Sequence, residues 1–281
     1  MKRPKFLTGT NLLLLSIIVA SFMEFIGMFS RTSYWLSPEM FFAGKYYILI
    51  TNSFVHGGLA HLFFNSITIY VFGNLVESRI GVLRTYLVFF VGGIVSGLVW
   101  VLTMSVPALG ASDGAFALIA AAVLLVPRKR ITATVPGLNK FTSYRVIANF
   151  STVLGVAALV QILFMASFAT GSAAIGLIAK AFSVFDPVMS IFINIKRLGG
   201  SSNVARISHV IGFATGSLLA YLTDKEEAVS NLKVFTIYMV FFLVFYLSSI
   251  FIYKMLGFLG MIGLTLYITP EIRKNNIEKS G

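Results

Sequence analysis

The stretch Asn11-Leu-Leu-Leu-Leu-Ser-Ile-Ile-Val-Ala20 decides the class of this chain. It is apolar throughout and lacks the period-2 alternation that a transmembrane β-strand needs over roughly ten residues. It reads as part of a transmembrane helix. Composition points the same way. Of the 281 residues, 57% are hydrophobic and 11% charged, and the mean hydropathy is +0.89. A soluble domain is about 45–50% apolar and about 25% charged, so a soluble globular protein is excluded. The apolar residues suffice for at most roughly eight spans of about 20 residues. The expected fold class is an all-α polytopic membrane protein.

Cysteine is absent. Disulfides, Cys-ligated zinc, iron–sulfur clusters and thiol nucleophiles are excluded with it. No metal site and no cofactor is expected. The net charge is +12 and the pI near 10. The basic residues cluster between apolar spans, so they read as topology signals and contacts for anionic lipids, with no nucleic-acid partner.

A basic tail, Met1-Lys-Arg-Pro-Lys5, precedes a first span over about 11–29. That run is too long for a signal-peptide core and ends without a small-residue cleavage site. The N-terminus is expected in the cytoplasm. Residues 31–52 read as an outer loop with interfacial aromatics Tyr34, Trp35, Phe41, Phe42, Tyr46 and Tyr47. A second span over about 54–75 ends at Glu77-Ser-Arg79, whose charges are expected to cap it at the cytoplasmic face. A third runs over about 83–105 and a fourth over about 112–126, stopped by Pro127. The following loop, 128–145, carries Arg128, Lys129, Arg130, Lys140 and Arg145 and no acid, which places it in the cytoplasm. A fifth span covers about 147–168. Residues 169–203 are apolar but broken by Lys180, Asp186-Pro187 and Lys196-Arg197. The span over 204–222 closes at Asp224-Lys-Glu-Glu227, and another apolar stretch covers about 234–252. Residues 255–268 form a run too short to span comfortably. No half of the chain repeats the other, which gives a transporter of the inverted-repeat kind little support. The organisation expected is a tail over 1–8, a core over 9–225, and an additional C-terminal helix and tail over 226–281.

Ionisable groups inside spans are expensive and are functional candidates. Here they are Glu24, late in the first span toward the outer interface, and His56, His61, Asp113 and His209. Asn65 and Ser112 join them as uncharged polar groups. His61 and Asn65 are four apart and share a helix face. Ser112 follows Gly110-Ala111 at a helix start, where backbone N–H groups and the positive helix end favour a developing anion. His209 begins a segment whose Gly212-xxx-Gly216 spacing admits close helix contact. Depth connects these residues. Ser112 lies 16 residues from Arg128, His209 lies 15 from Asp224, and His61 lies 16 from Glu77. At 1.5 Å per residue each stands roughly 22–24 Å above the cytoplasmic face, within a hydrocarbon core of about 30 Å. A common depth for the serine and both histidines requires 169–203 to stay on the outer side. The chemistry this suggests is nucleophilic acyl transfer. Ser112 Oγ attacks a carbonyl and His209 carries the proton. His61, Asn65 and the Ser112 backbone N–H donate to the oxyanion.

These residues resemble the rhomboid family of intramembrane serine proteases. The resemblance covers about 40–225 and rests on an ordered set of motifs. They are Leu49-Ile-Thr-Asn-Ser-Phe-Val-His56-Gly57-Gly58-Leu-Ala-His61-Leu-Phe-Phe-Asn65, then Gly73-Asn-Leu-Val-Glu77-Ser-Arg79-Ile-Gly81, Gly110-Ala-Ser112, and Ser208-His209-Val-Ile-Gly212-xxx-Gly216. The resemblance implies a six-helix core, extended here by one C-terminal transmembrane helix. It implies Ser112 as nucleophile and His209 as base of a two-residue dyad, with His61, Asn65 and Gly110 at the oxyanion site and His56 structural. Residues 147–203 would form the substrate gate. The implied substrates are single-span membrane proteins with a small residue at the cleaved bond and a helix-weakening stretch below it. A prokaryotic plasma membrane is expected, with the site opening to the extracytoplasmic side.

Three positions depart from the family pattern. Asp113 follows the nucleophile where Gly is usual, Phe116 stands where Tyr is frequent, and Tyr47-Ile48 replaces a Trp-Arg pair. A carboxylate at position 113 is either held by the helix dipole or opposes a nearby developing anion. The first rival reading is therefore an inactive relative that binds membrane clients. The second, a transporter, would call for paired carboxylates or a repeat.

Overall fold

Thr8 opens the first helix, α1 (Gly9–Phe25), and its hydroxyl accepts the Asn11 N–H. That is the ordinary way to satisfy an orphan donor at a helix start. The computed structural model describes residues 8–125, 131–135, 144–148 and 206–247, with five further positions between 256 and 263. α1 stops earlier than the apolar run does, because the chain turns at Gly27 with φ +79°. The expected outer loop is built rather than open. A 3₁₀ turn, Arg31–Ser33, follows Ser30. A short helix, α2 (Pro38–Phe42), is capped by the Ser37 hydroxyl with Pro38 in its first turn, and α3 (Ile48–Thr51) and a 3₁₀ turn over Asn52–Phe54 complete it. Glu24 lies buried at the end of α1 and pairs with Arg31 Nε at 2.9 Å.

The second apolar segment becomes helical only at Leu59, after Gly57-Gly58, and not at 54 as expected. Gly58 has φ +150°, a conformation that keeps the residues before it out of the helix. From there α4 (Leu59–Thr68), a π turn (Ile69–Gly73) and α5 (Asn74–Ile80) form one uninterrupted rod. Gly81 reverses the chain directly into α6 (Val82–Thr103), the one described helix long and apolar enough by itself to cross a bilayer. Next come α7 (Ser112–Leu125), α8 (Arg206–Thr223) and α9 (Lys225–Leu247). α9 starts earlier than the apolar stretch it contains, because Asp224 caps it by accepting the Glu227 N–H. In the basic linker, β1 (Ile131–Val135) and β2 (Tyr144–Ala148) pair antiparallel, with Ile131 opposite Ala148. Both segments are rich in β-branched residues, which suit strands. The remainder of the expected fifth span and residues 169–203 lie outside the described residues.

α7 is the centre of the bundle. It is apolar on every side, which is the pattern of a helix with no solvent face. Asp113, Gly114, Ala115 and all residues from Ala117 to Leu125 are buried. α6 and α8 lie against it at backbone distance. Added Cβ atoms on Gly212 and Gly216 would strike the carbonyl oxygens of Asp113 and Ala117. One on Gly92 would strike the Ala117 Cβ, and one on Gly114 would sit 2.6 Å from the Phe89 ring. Such small-residue faces let helices gain dispersion contact where lipid supplies no hydrophobic drive.

The other end of the bundle is held by polar clamps. Glu77 accepts the N–H groups of Gly9 and Thr10, at 3.0 and 2.6 Å, and the Thr10 hydroxyl. It thus caps α1 rather than its own helix. Thr8 donates to Asn74 Oδ1, and Asn74 donates to Asn11 Oδ1. Arg79 pairs with Asp224 at 2.7 Å and donates to the Leu125 carbonyl. Asn231 of α9 donates to the Leu124 carbonyl. A carboxylate at one helix N-terminus and a guanidinium at another's C-terminus both agree with the helix dipoles, and they satisfy groups that helix ends leave open.

Replacing Gly216 by Ala is expected to lower unfolding stability by about 1–3 kcal/mol, because the methyl group meets backbone. Gly93→Ala, whose nearest neighbours are 4.0 Å away, is expected to be neutral or stabilising by up to about 1 kcal/mol. Thermal unfolding in detergent distinguishes the two.

Candidate active site

The route into α7 positions its first residue. Trp100 Nε1 donates to the Val106 carbonyl, and Leu36 and Ala108 exchange both backbone hydrogen bonds at 2.8 Å. The turn after α6 is therefore fastened to the loop after α1. Gly110 then donates its N–H to the Asn52 carbonyl and takes φ +111°. Its missing side chain matters as much as its φ. A Cβ there would lie 2.6 Å from His61 Cε1, 2.7 Å from His61 Nε2 and 3.3 Å from Asn65 Nδ2. Gly110 thus leaves room for the two α4 side chains immediately before Ser112.

His56 lies behind this pocket and is fully buried. Its Nε2 faces two donors, the Asn65 amide at 3.1 Å and the Ala111 N–H at 3.4 Å. Nε2 therefore accepts, and the proton sits on Nδ1, which donates to Ser21 Oγ at 2.8 Å. Ser21 in turn donates to the Phe54 carbonyl. One neutral imidazole thereby joins α1, α4 and the turn into α7. His61 packs edge-on against it with ring centroids 5.1 Å apart. Asn65 uses one hydrogen of its amide nitrogen on His56, and the same nitrogen lies beside Gly110.

Ser112 begins α7, and its Oγ lies 2.8 Å from His209 Nε2 on α8. Phe116, one turn after Ser112, stacks on the His209 ring with centroids 4.5 Å apart and planes 12° from parallel. The stack holds the imidazole plane without needing a phenolic hydroxyl. Asp113 is buried and accepts the Ser208 hydroxyl at 2.7 Å, and its Oδ1 is 3.9 Å from His209 Nε2. Gly212 and Gly216 set the distance between the two helices, as above. Among the described residues no three His, Asp or Glu side chains gather in a way that could hold a metal ion.

The structure thus brings together the residues singled out from the sequence apart from Glu24, which pairs with Arg31 at the end of α1. Ser112 faces His209, His61 and Asn65 flank Gly110, and His56 stands behind them. Asp113, Phe116, Gly212 and Gly216 form the α7–α8 contact. Sequence reasoning missed two partners, Ser208 for Asp113 and Ser21 for His56. Ser208 stood beside His209 in plain view. Only the rotation of α8 about its axis, which spacing does not reveal, says that it meets residue 113.

The family model for the Rhomboid domain matches residues 43–226. The chain belongs to the rhomboid family. Its membrane character and helical class follow from that membership. The matched segment of this rhomboid protein begins in the loop after α2 and ends just beyond Asp224, so it includes the site residues from His56 to Gly216, while Ser21 lies before it. No curated protein matches the chain.

His56→Ala is expected to cost about 2–3 kcal/mol of stability, since it strands the Asn65 amide and the Ala111 N–H. Ser21→Ala should cost about 1 kcal/mol. Thermal unfolding of the two variants in detergent checks the order.

Proposed function

We propose that this rhomboid protein is an intramembrane serine endopeptidase that cleaves transmembrane segments of other membrane proteins. The observation that carries the reading is the 2.8 Å approach of Ser112 Oγ to His209 Nε2, at a helix start and inside an apolar bundle. An unactivated serine is a poor nucleophile, and a neighbouring base within hydrogen-bond reach is what activates it.

Ser112 Oγ attacks the scissile carbonyl carbon, and its proton passes to His209 Nε2. The carbonyl electron pair moves onto oxygen. That oxyanion lies where the Ser112 N–H, the second Asn65 amide hydrogen and His61 can donate. His209 then gives its proton to the leaving amine as the C–N bond breaks, leaving an acyl-enzyme. A water molecule, deprotonated by His209, attacks the ester, and the proton returns to Ser112 as Oγ leaves. Stacking on Phe116 keeps the imidazole plane aligned through both proton transfers.

The membrane arrangement we propose is multi-pass, a six-helix core with α9 as an additional helix. The N-terminus and the basic linker lie in the cytoplasm, where the linker's cationic residues contact anionic lipids. The clamp of Glu77, Arg79 and Asp224 is then the cytoplasmic end. α7 climbs 14 residues from Leu125 to Ser112, about 21 Å. That leaves the serine below the outer surface, within reach of water from the extracytoplasmic side of a prokaryotic plasma membrane. The second reading, an inactive relative that binds membrane clients, is favoured by one observation, the buried Asp113 carboxylate beside Ser112.

A fluorophosphonate probe separates the two. Wild-type protein is expected to label covalently, and labelling should disappear in Ser112→Ala and in His209→Ala. Ser112→Ala should also unfold within about 0.6 kcal/mol of wild type, the average worth of a hydrogen bond inside a membrane bundle. An unlabelled wild type that also leaves a helix-destabilised transmembrane substrate intact rules out the enzyme.

A further inference from the structure

Asp113 adjoins Ser112, and Ser208 adjoins His209. The two pairs make two cross-helix bonds between consecutive residues of α7 and α8. One runs from Ser112 to His209 at 2.8 Å, the other from Ser208 to Asp113 at 2.7 Å. Neighbouring residues on a helix point about 100° apart. A single bond between two helices leaves each free to roll about its axis, whereas two bonds from consecutive residues fix the roll as well. Gly212 supplies a third point, one turn after Ser208, with the α8 backbone seated against the Asp113 carbonyl. Position 113 is therefore engaged twice by α8, through its side chain and through its backbone.

We infer that Asp113 is a positioning residue: by holding the Ser208 hydroxyl it sets the roll of α8, which places His209 Nε2 at Ser112 Oγ. The inference rests on the protease reading for its consequence in catalysis, though not for its geometry. The carboxylate Oδ1 is engaged on the α8 side of α7. His61 and Asn65, by contrast, stand on α4 against Gly110. In that place the carboxylate serves as an acceptor for a buried hydroxyl, Ser208 being 1% exposed. A carboxylate accepting a short hydrogen bond is among the stronger pairings available to a buried serine. Its role is to hold a direction, and a small misplacement of a base can cost a hundredfold in rate.

The experiment uses the full chain in detergent with two readouts. The first is the rate of fluorophosphonate labelling as a function of probe concentration. Asp113→Ala and Ser208→Ala are each expected to lower the maximal rate about tenfold or more, with the half-saturating probe concentration unchanged. The double variant should be no slower than the slower single, because both remove the same bond. Asp113→Asn keeps an acceptor oxygen for Ser208 and should stay within about threefold of wild type. The second readout is the imidazole ¹⁵N spectrum, with His209 assigned by its loss in His209→Ala. Ser112→Ala, Asp113→Ala and Ser208→Ala should all displace the His209 Nε2 signal, the last with the Asp113 carboxylate, 3.9 Å from Nε2, still in place. If Asp113→Ala leaves that signal unmoved, or if the two alanine losses add in full, the inference is overturned. A wild type that does not label overturns the protease reading instead, and the ¹⁵N signals still decide whether Asp113 positions His209.

Discussion

Backbone-to-backbone contact between α7 and α8 is the constraint on which the rest depends. The two helices approach until the Asp113 and Ala117 carbonyls leave no room for a Cβ on Gly212 and Gly216. A methyl group at either glycine would force the helices apart. At the observed spacing a serine and a histidine, both with short side chains, reach each other directly across the gap. A wider gap would call for longer side chains or a bridging water, with a weaker hold on the proton's path. Packing and chemistry are thus the same feature seen at two positions of one interface.

The remaining contacts keep that interface in register. Near Ser112, His56 binds together α1, α4 and the turn that leads into α7, and Gly110 opens the space that His61 and Asn65 fill. At the far end, Arg79 and Asn231 hold the last carbonyls of α7 while Glu77 holds the first N–H groups of α1. Most of these bonds lie inside an apolar bundle, where an unpaired polar group costs more than at a wet surface. Pairing polar groups at both ends of α7 stops the helix from sliding along its axis, and the glycine contacts stop it from moving away.

Much of this was legible without coordinates. The helical membrane class follows from uninterrupted apolar runs. Counting residues to the nearest charges gives one expected depth for Ser112, His209 and His61. Of the charges used as the zero, Glu77 and Asp224 belong to one end of the bundle, where Asp224 meets Arg79, while Arg128 lies outside the described residues. The limits of helices were less legible. Gly57-Gly58 delays α4 to Leu59, and Asp224 advances α9 to Lys225. Both shifts come from cap and turn conformation, to which hydropathy is blind. Glu77 and Arg79 were expected to serve their own helix and instead serve its neighbours, because a helix end has no way to tell which chain segment satisfies it.

The sequence by itself determined which side chains are polar inside an apolar chain, how far along each helix they stand, and which glycines permit close approach. Those properties are local: they depend on residue type and on a rise of about 1.5 Å per residue. Only the tertiary structure decided how each helix is turned about its own axis. That turn gave Asp113 to Ser208, His56 to Ser21 and Asn65, and Phe116 to the His209 ring. Helix roll is set by the sum of contacts with every neighbour at once, and one-dimensional spacing contains no record of that sum.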